Sequence, residues 1–209
     1  MLTVRTFVEG PIDANNYLLI DEDTKEAVLI DCSSDRKEYV REIKNSDCRL
    51  KYILLTHGHF DHILGVNKFV SEFGVDAYMS EQDIEQIKYA SQMYMMFSGK
   101  TIESEPVIKN FIKDEDEFKI GSHTIKAILT PGHTKGSMSY FVDSKLFSGD
   151  TLFYGSVGRC DMIGGDFNEI VNSIKEKLFI LPDETEVYTG HGVKTTIGFE
   201  KKHNEIVII

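Results

Sequence analysis

The sequence predicts an α+β fold in which two β-sheets pack face to face and helices cover their outer sides. Short apolar runs of the strand type alternate with segments of helical periodicity in both halves of the chain. The 209 residues, 41% hydrophobic and 27% charged, are typical of a globular domain with a sizeable core. Because no linker or low-complexity tract interrupts the chain, we expect a single domain over residues 1–209.

The first half is predicted to begin with strands and to continue with helices between further strands. The run Tyr52–Leu55 is continuously apolar, which is typical of a strand buried on both faces. Gly99 is a suitable residue to end the helix that is predicted over Glu81–Phe97. The predicted strands are Leu2–Phe7, Tyr17–Ile20, Ala27–Ile30, Tyr52–Leu55 and Ala77–Met79, and the predicted helices are Arg36–Ser46, one through Val66, Phe69, Val70 and Phe73, and Glu81–Phe97.

The second half repeats this pattern. Asp166 is the expected N-cap of a helix, with Glu169 at the capping-box position. The predicted strands are Thr124–Leu129, Met138–Val142, Lys145–Phe147 and Val187–Thr189.

Two apolar segments each allow two interpretations. Met93-Tyr94-Met95-Met96-Phe97 is either an adaptable wall over a site or part of the core. Ile206-Val207-Ile208-Ile209 is more apolar than a free tail, so it docks either on the body of the protein or at a subunit contact.

Charge and cysteine usage limit the partners and the compartment. Lys+Arg 23 against Asp+Glu 34 gives a net charge of -11, which argues against a nucleic-acid partner. The segment Met1–Pro11 does not have the form of a signal peptide, and no window has the apolar length of a membrane span. The three cysteines are scattered, without a Cys-x-x-Cys pair, so we expect a reducing, cytoplasmic location and no membrane partner.

The most informative motif is Thr56-His57-Gly58-His59-Phe60-Asp61-His62, which places four possible metal ligands close together. Three more follow beside glycines, namely His133, Asp150 and His191. Seven nitrogen and oxygen ligands are too many for one tetrahedral ion but suit two ions that share a bridging carboxylate. The pattern therefore predicts metal-assisted hydrolysis.

These motifs resemble the metallo-β-lactamase-fold superfamily. Thr130–Ser137 and Gly149–Phe153 are similar to the glyoxalase II (hydroxyacylglutathione hydrolase) branch. Since the sequence ends at Ile209, soon after His191, the resemblance is to the short bacterial type without the C-terminal helical extension. The resemblance implies a four-layer αββα sandwich with the metals at one edge of the sheets.

The resemblance also implies a role for each site residue. Asp150 would bridge two divalent ions, expected to be zinc, with iron and manganese as alternatives. Asp61 and Asp150 would be the catalytic carboxylates. Asp31 would orient a ligand or a loop, unless it only caps its strand. The implied ligands are His57, His59 and His133 for the first ion and Asp61, His62 and His191 for the second.

The implied reaction is hydrolysis of a small-molecule thioester, such as S-lactoylglutathione or another S-acylglutathione, by a hydroxide that bridges the metals. Arg159 is the candidate substrate-binding residue, as an anchor for an acidic thiol, unless it only forms a salt bridge with Asp161. Cys160 is either a thiol activated by Arg159 or an inert buried one.

Three other activities of the same fold remain open. Gly158-Arg159-Cys160-Asp161 also resembles the glutathione persulfide dioxygenases, oxidoreductases with one iron. Lactonases and β-lactamases use similar ligands. A nuclease is the third alternative, and the net charge of -11 argues against it.

Overall fold

Two six-stranded sheets form the centre of the computed structural model, which describes residues 1–208 and the side chains of residues 1–207. The first sheet has the order β1-β2-β3-β4-β5-β6; β1, β2 and β3 are antiparallel neighbours, and β3 to β6 run parallel. Its strands are β1 Leu2–Glu9, β2 Ala14–Asp21, β3 Glu26–Ile30, β4 Arg49–Leu54, β5 Asp76–Ser80 and β6 Asn110–Ile112.

The second sheet comes from the other half of the chain. Its order is β14-β13-β10-β9-β8-β7, and β10 runs parallel to β13. Its strands are β7 Glu117–Ile120, β8 His123–Leu129, β9 Met138–Val142, β10 Lys145–Gly149, β13 Glu186–Thr189 and β14 Thr195–Thr196, and a separate hairpin is formed by β11 Leu152–Phe153 and β12 Ser156–Val157.

Helices cover the outer face of each sheet, which gives the four-layer αββα sandwich that the sequence predicts. The helices are α1 Lys37–Lys44, α2 Phe60–Ile63, α3 Val66–Phe73, α4 Ile84–Ser98, α5 Phe167–Ser173, α6 Ile197–His203 and α7 Glu205–Ile208, with a 3₁₀ turn at Glu81–Asp83 and a π-helical turn at Ile174–Leu178. Among residues 1–208, none of these helices has the length and apolarity to cross a membrane.

Strand β2 shows why the sheets are buried on both faces. All eight of its residues are buried, and their side chains alternate between the two faces. Tyr17 and Leu19 belong to the core between the sheets, together with Tyr140 and Phe147 of the second sheet. Leu18 and Ile20 belong to the core between the first sheet and its helices. Burial on both faces accounts for the continuous apolar run Tyr17–Ile20 in the middle of the strand.

Strand direction brings the functional loops to one edge. Because β3 and β4 are parallel, Asp31 and Thr56 leave the first sheet at the same edge. Because β10 and β13 are parallel, Asp150 and Gly190 leave the second sheet together. Asn15 N–H donates to the Gly190 carbonyl oxygen at 2.8 Å, which connects the two sheets at this edge.

Several local predictions are confirmed. Gly99 ends α4 in the left-handed conformation, with φ of 68°. Asp166 caps α5, because its carboxylate accepts hydrogen bonds from the backbone N–H groups of Asn168 and Glu169. Val207 is buried among the helices outside the second sheet, so this part of the apolar C-terminus docks on the body, whereas the Ile208 side chain and Ile209 lie outside the described residues.

Candidate metal centre

The seven predicted ligands converge at the common edge of the two sheets. Three groups of possible ligand atoms each lie within 4.8 Å of one another: His57 with His59 and His133, His57 with His62 and Asp150, and Asp61 with His62 and His191. The first and third groups are the two sets that the sequence motifs imply. The second group adds that His57 lies between the two sets, with its ring centroid 4.2 Å from that of His62.

Asp150 lies between the two sets of side chains. Its Oδ2 is 3.5 Å from Nε2 of His133 and 3.7 Å from Nε2 of His191, and its Oδ1 is 3.5 Å from Nε2 of His62. One carboxylate therefore faces both sets, as a bridging ligand would.

Some polar atoms in this cluster lack a hydrogen-bond partner, and their chemistry indicates whether the residues fit a metal. Nε2 of His57, Nε2 of His62 and Oδ1 of Asp150 are buried, and within the described part of the chain they have no hydrogen-bond partner. Buried polar groups are almost always paired, because leaving them unpaired costs free energy. Imidazole nitrogen and carboxylate oxygen are the donors that bind zinc and similar divalent ions. The site therefore fits such ions.

Asp31 contacts one of the predicted ligands and the loop that carries it. Its Oδ2 lies 2.8 Å from Nδ1 of His62, and its Oδ1 accepts a hydrogen bond from the Thr56 backbone N–H at 2.8 Å. A proton shared with Asp31 at Nδ1 leaves Nε2 of His62 as the atom that faces the cluster. Asp31 has φ of 61°, a left-handed conformation that is uncommon for aspartate.

The backbone of Arg159 holds another histidine, a contact that the sequence did not predict. The carbonyl oxygen of Arg159 lies 2.7 Å from Nδ1 of His133, so Nε2 of His133 faces the cluster.

The Arg159 side chain is 63% exposed and forms a bidentate salt bridge with Asp161, at 2.9 Å for each hydrogen bond. Burial raises the pKa of the neighbouring Cys160 thiol, which favours an inert thiol.

Burial and charge set the protonation of the histidines. Burial, together with the neighbouring histidines, lowers the pKa of His57 and brings that of His59 to about 3, so both are neutral near pH 7. Burial also disfavours the charged form of His62, but Asp61 and Asp31 outweigh it and raise the pKa of His62. The clustered carboxylates thus favour positive charge at this position, which a metal cation can supply.

Asp83 is a buried residue of the site that the sequence did not predict. Its carboxylate accepts hydrogen bonds from the backbone N–H of Gly58 at 2.9 Å, the backbone N–H of Gly136 at 2.7 Å and the Thr134 hydroxyl at 2.7 Å. These donors belong to the loops that carry His59 and His133. Asp83 therefore ties together two loops of the first ligand set.

Asn15 ties a third loop to the site. Its side-chain amide donates hydrogen bonds to the carbonyl oxygens of Thr189 and Gly192, which flank His191.

The other two histidines of the chain lie away from the cluster: His123 pairs with Asp21, and His203 is exposed on α6. Neither of these two histidines is among the predicted ligands.

Comparison with known proteins agrees with this architecture. Residues 10–191 match the family model described as the Metallo-beta-lactamase superfamily. The chain is 35% identical to "Probable metallo-hydrolase YqgX" of Bacillus subtilis, over 93% of this chain and 92% of that protein. It is 33% identical to "Hydroxyacylglutathione hydrolase GloC" of Haemophilus influenzae, over 90% and 91%.

Two solved structures are similar over almost the whole chain. The BLEG-1 B3 metallo-beta-lactamase has a TM-score of 0.90 and 35% identity, with coverage of 98% of this chain and 99% of that one. TTHA1623 in a di-iron-bound form has a TM-score of 0.85 and 30% identity, with coverage of 96% and 98%. The match over residues 10–191 contains all seven clustered side chains, and the chain belongs to the metallo-beta-lactamase superfamily.

Proposed function

We propose that this chain is a dinuclear metal-dependent thioesterase that hydrolyses S-acylglutathione or a related small-molecule thioester. The observation that carries the proposal is the convergence of two three-residue ligand sets on Asp150, which faces both. The similarity to a hydroxyacylglutathione hydrolase over 90% of the chain supports the thioester as substrate. The net charge of -11 still argues against a nucleic acid, and the cytoplasmic location remains a prediction from cysteine usage.

The proposed ligands are His57, His59 and His133 for one ion and Asp61, His62 and His191 for the other, with Asp150 shared. Divalent ions held there would supply a water of lowered pKa and a positive charge for the carbonyl oxygen of the substrate. Zinc is the metal we propose; the di-iron form of TTHA1623 makes iron the first alternative to measure.

The protein's own residues prepare the site for this chemistry. Asp31 and the Arg159 carbonyl fix the rings of His62 and His133, so that Nε2 of each faces the cluster. Asp61 Oδ2 lies 3.1 Å from Nε2 of His191 and 3.3 Å from Nε2 of His62, so this carboxylate and the two ring nitrogens are close enough to bind one ion together. A thiolate leaves without a strong general acid, so hydrolysis of a thioester requires no further residue to protonate the leaving group.

We propose that Arg159 contacts the charged thiol portion of the substrate. Arg159 lines the same pocket as Asp150, and its side chain is 63% exposed. Asp161 occupies two of its roughly five N–H donors, which leaves donors for a carboxylate.

The test is a substrate panel on purified protein whose zinc, iron and manganese contents are measured. We expect hydrolysis of S-lactoylglutathione and about two metal ions per chain. Oxygen consumption with glutathione persulfide and no thioester hydrolysis would instead favour a dioxygenase. A β-lactam belongs in the panel because of the similarity to BLEG-1.

Variants connect the activity to the cluster. We expect His59→Ala and Asp150→Ala each to lose metal and to lower turnover at least 100-fold, with little change in expression. His203→Ala is the matched control, since His203 is exposed on α6. Full turnover in either cluster variant would contradict the proposed mechanism.

A further inference from the structure

A pocket of about 270 Å³ opens beside the ligand cluster, and most of its wall is apolar. His59, Asp61, Asp150 and His191 border it on the cluster side. The apolar side chains that line it are Ile12, Phe60, Met93, Phe97, Phe153 and Met162. Together these six side chains form what we call the apolar wall. Among the described residues lining the pocket, only Arg159 is charged and outside the cluster.

Helix α4 contributes part of the apolar wall. This part comes from the segment Met93–Phe97, for which the sequence allowed either a wall over a site or a place in the core. Phe97 stacks on the buried ring of Phe60, with centroids 5.6 Å apart and planes at 21°, yet Phe97 remains 46% exposed. Met93, one helical turn earlier, lines the same pocket. Ile12, from the turn between β1 and β2, is 38% exposed. Folding therefore leaves apolar surface uncovered directly beside the reacting centre.

Such a wall selects the chemistry of the group that it contacts. A charged or strongly polar group placed against it would lose water without gaining a hydrogen bond. The charged part of a thiol such as glutathione therefore stays at the exposed side of the pocket, near Arg159. The acyl part of the thioester is then the group left to contact the apolar wall.

We propose that the apolar wall binds an apolar acyl chain, so that the preferred substrates are thioesters of fatty acids. This rests on the proposed thioesterase function and names its substrate class. The volume of about 270 Å³ lies near the lower end of small-molecule sites, which suits a chain of roughly four to eight carbons. The flexible thioether chains of Met93 and Met162 can adapt to such a chain.

The test varies the acyl group on one thiol. Purified protein of measured metal content is assayed with S-acetyl-, S-butanoyl-, S-hexanoyl- and S-octanoylglutathione, and with S-lactoylglutathione. We expect kcat/KM to rise about two- to fourfold for each added methylene until the pocket is filled. Rates that are flat or that fall with chain length, while S-lactoylglutathione is cleaved, would overturn this inference and leave the proposed function standing. Absence of hydrolysis with every thioester would overturn both.

A binding measurement separates the wall from the chemistry. S-hexylglutathione and S-methylglutathione are thioethers that cannot be hydrolysed. We expect calorimetry to show at least tenfold tighter binding of the hexyl compound. Equal affinities would contradict the role of the wall.

Variants of α4 locate the effect. We expect Met93→Trp, which fills the pocket, and Phe97→Ser, which removes part of the wall, to lower the ratio of hexanoyl to acetyl kcat/KM about tenfold. The acetyl rate checks folding, since a general structural defect lowers both rates together. Met96→Ser is the matched control, because Met96 lies on the same helix and is 68% exposed. An unchanged ratio in both wall variants would overturn the inference.

Discussion

Asp83 is predicted to hold the first ligand set in place, and Asp83→Ala tests this. The change removes the acceptor of three buried donors: the backbone N–H groups of Gly58 and Gly136 and the hydroxyl of Thr134. Each buried donor left without a partner costs about 1–3 kcal/mol. Burial raises the pKa of Asp83, so removing this desolvated carboxylate recovers part of the loss.

These costs are not additive, because the three donors share one acceptor. We therefore expect Asp83→Ala to lower the free energy of unfolding by about 3 kcal/mol, measured by urea denaturation of the metal-free protein. Since the loops that carry His59 and His133 lose their common tie, we also expect metal affinity to fall about 10- to 100-fold. Asp83→Asn keeps the shape and one acceptor oxygen. Its free energy of unfolding and its metal affinity should therefore lie between those of the unmodified protein and those of Asp83→Ala.

Asp76→Ala is the matched control for Asp83→Ala. Asp76 is an exposed aspartate on β5, and its replacement should change the free energy of unfolding by less than about 0.5 kcal/mol. Asp83→Ala protein that matches this control in both urea midpoint and metal titration would refute the reasoning.

Two further predictions concern acid stability and close packing. The backbone N–H and hydroxyl of Thr24 lower the pKa of Asp21 from 3.8 to about 2, so Asp21 stabilises the fold above about pH 4 and this contribution is lost as the pH falls towards 2. Asp21→Asn should flatten the decline of the urea midpoint over this range, and an unchanged decline would contradict the assignment. A Cβ added at Gly190 would lie 2.0 Å from Oδ1 of Asp150, so Gly190→Ala should displace this carboxylate and abolish binding of the second metal ion. Gly74→Ala is the control: Gly74 has φ of 65° and open space, so its variant should lose about 1 kcal/mol of stability and keep its metals, and equal metal contents in the two variants would refute the packing argument.

Local patterns in the sequence were enough to predict the layers and the ligand cluster. Strands such as Tyr17–Ile20 and Tyr52–Leu55 are visible because burial on two faces requires continuous apolar residues. The helix starting after Asp166 is visible because capping acts over a few residues. The His57–His62 segment is visible because its ligands are neighbours in the chain.

Short or charged elements were missed for a physical reason. Strands β6 and β7 have three and four residues and flank an acidic turn, so they show too little periodicity to be recognised. Their place at the sheet edges depends on pairing with β5 and β8, which local sequence does not encode.

The sequence by itself determined which residue types could form the site, since donor chemistry belongs to the side chain. Only the tertiary structure decided what holds them. The Asp83 carboxylate accepts a hydrogen bond from the backbone N–H of Gly58, 25 residues away, and the Asn15 amide donates one to the carbonyl oxygen of Thr189, 174 residues away. Such contacts exist only after parallel strands bring their loops to one edge, so no local pattern records them. The apolar wall beside the cluster arises in the same way, because it joins side chains from separate loops and helices.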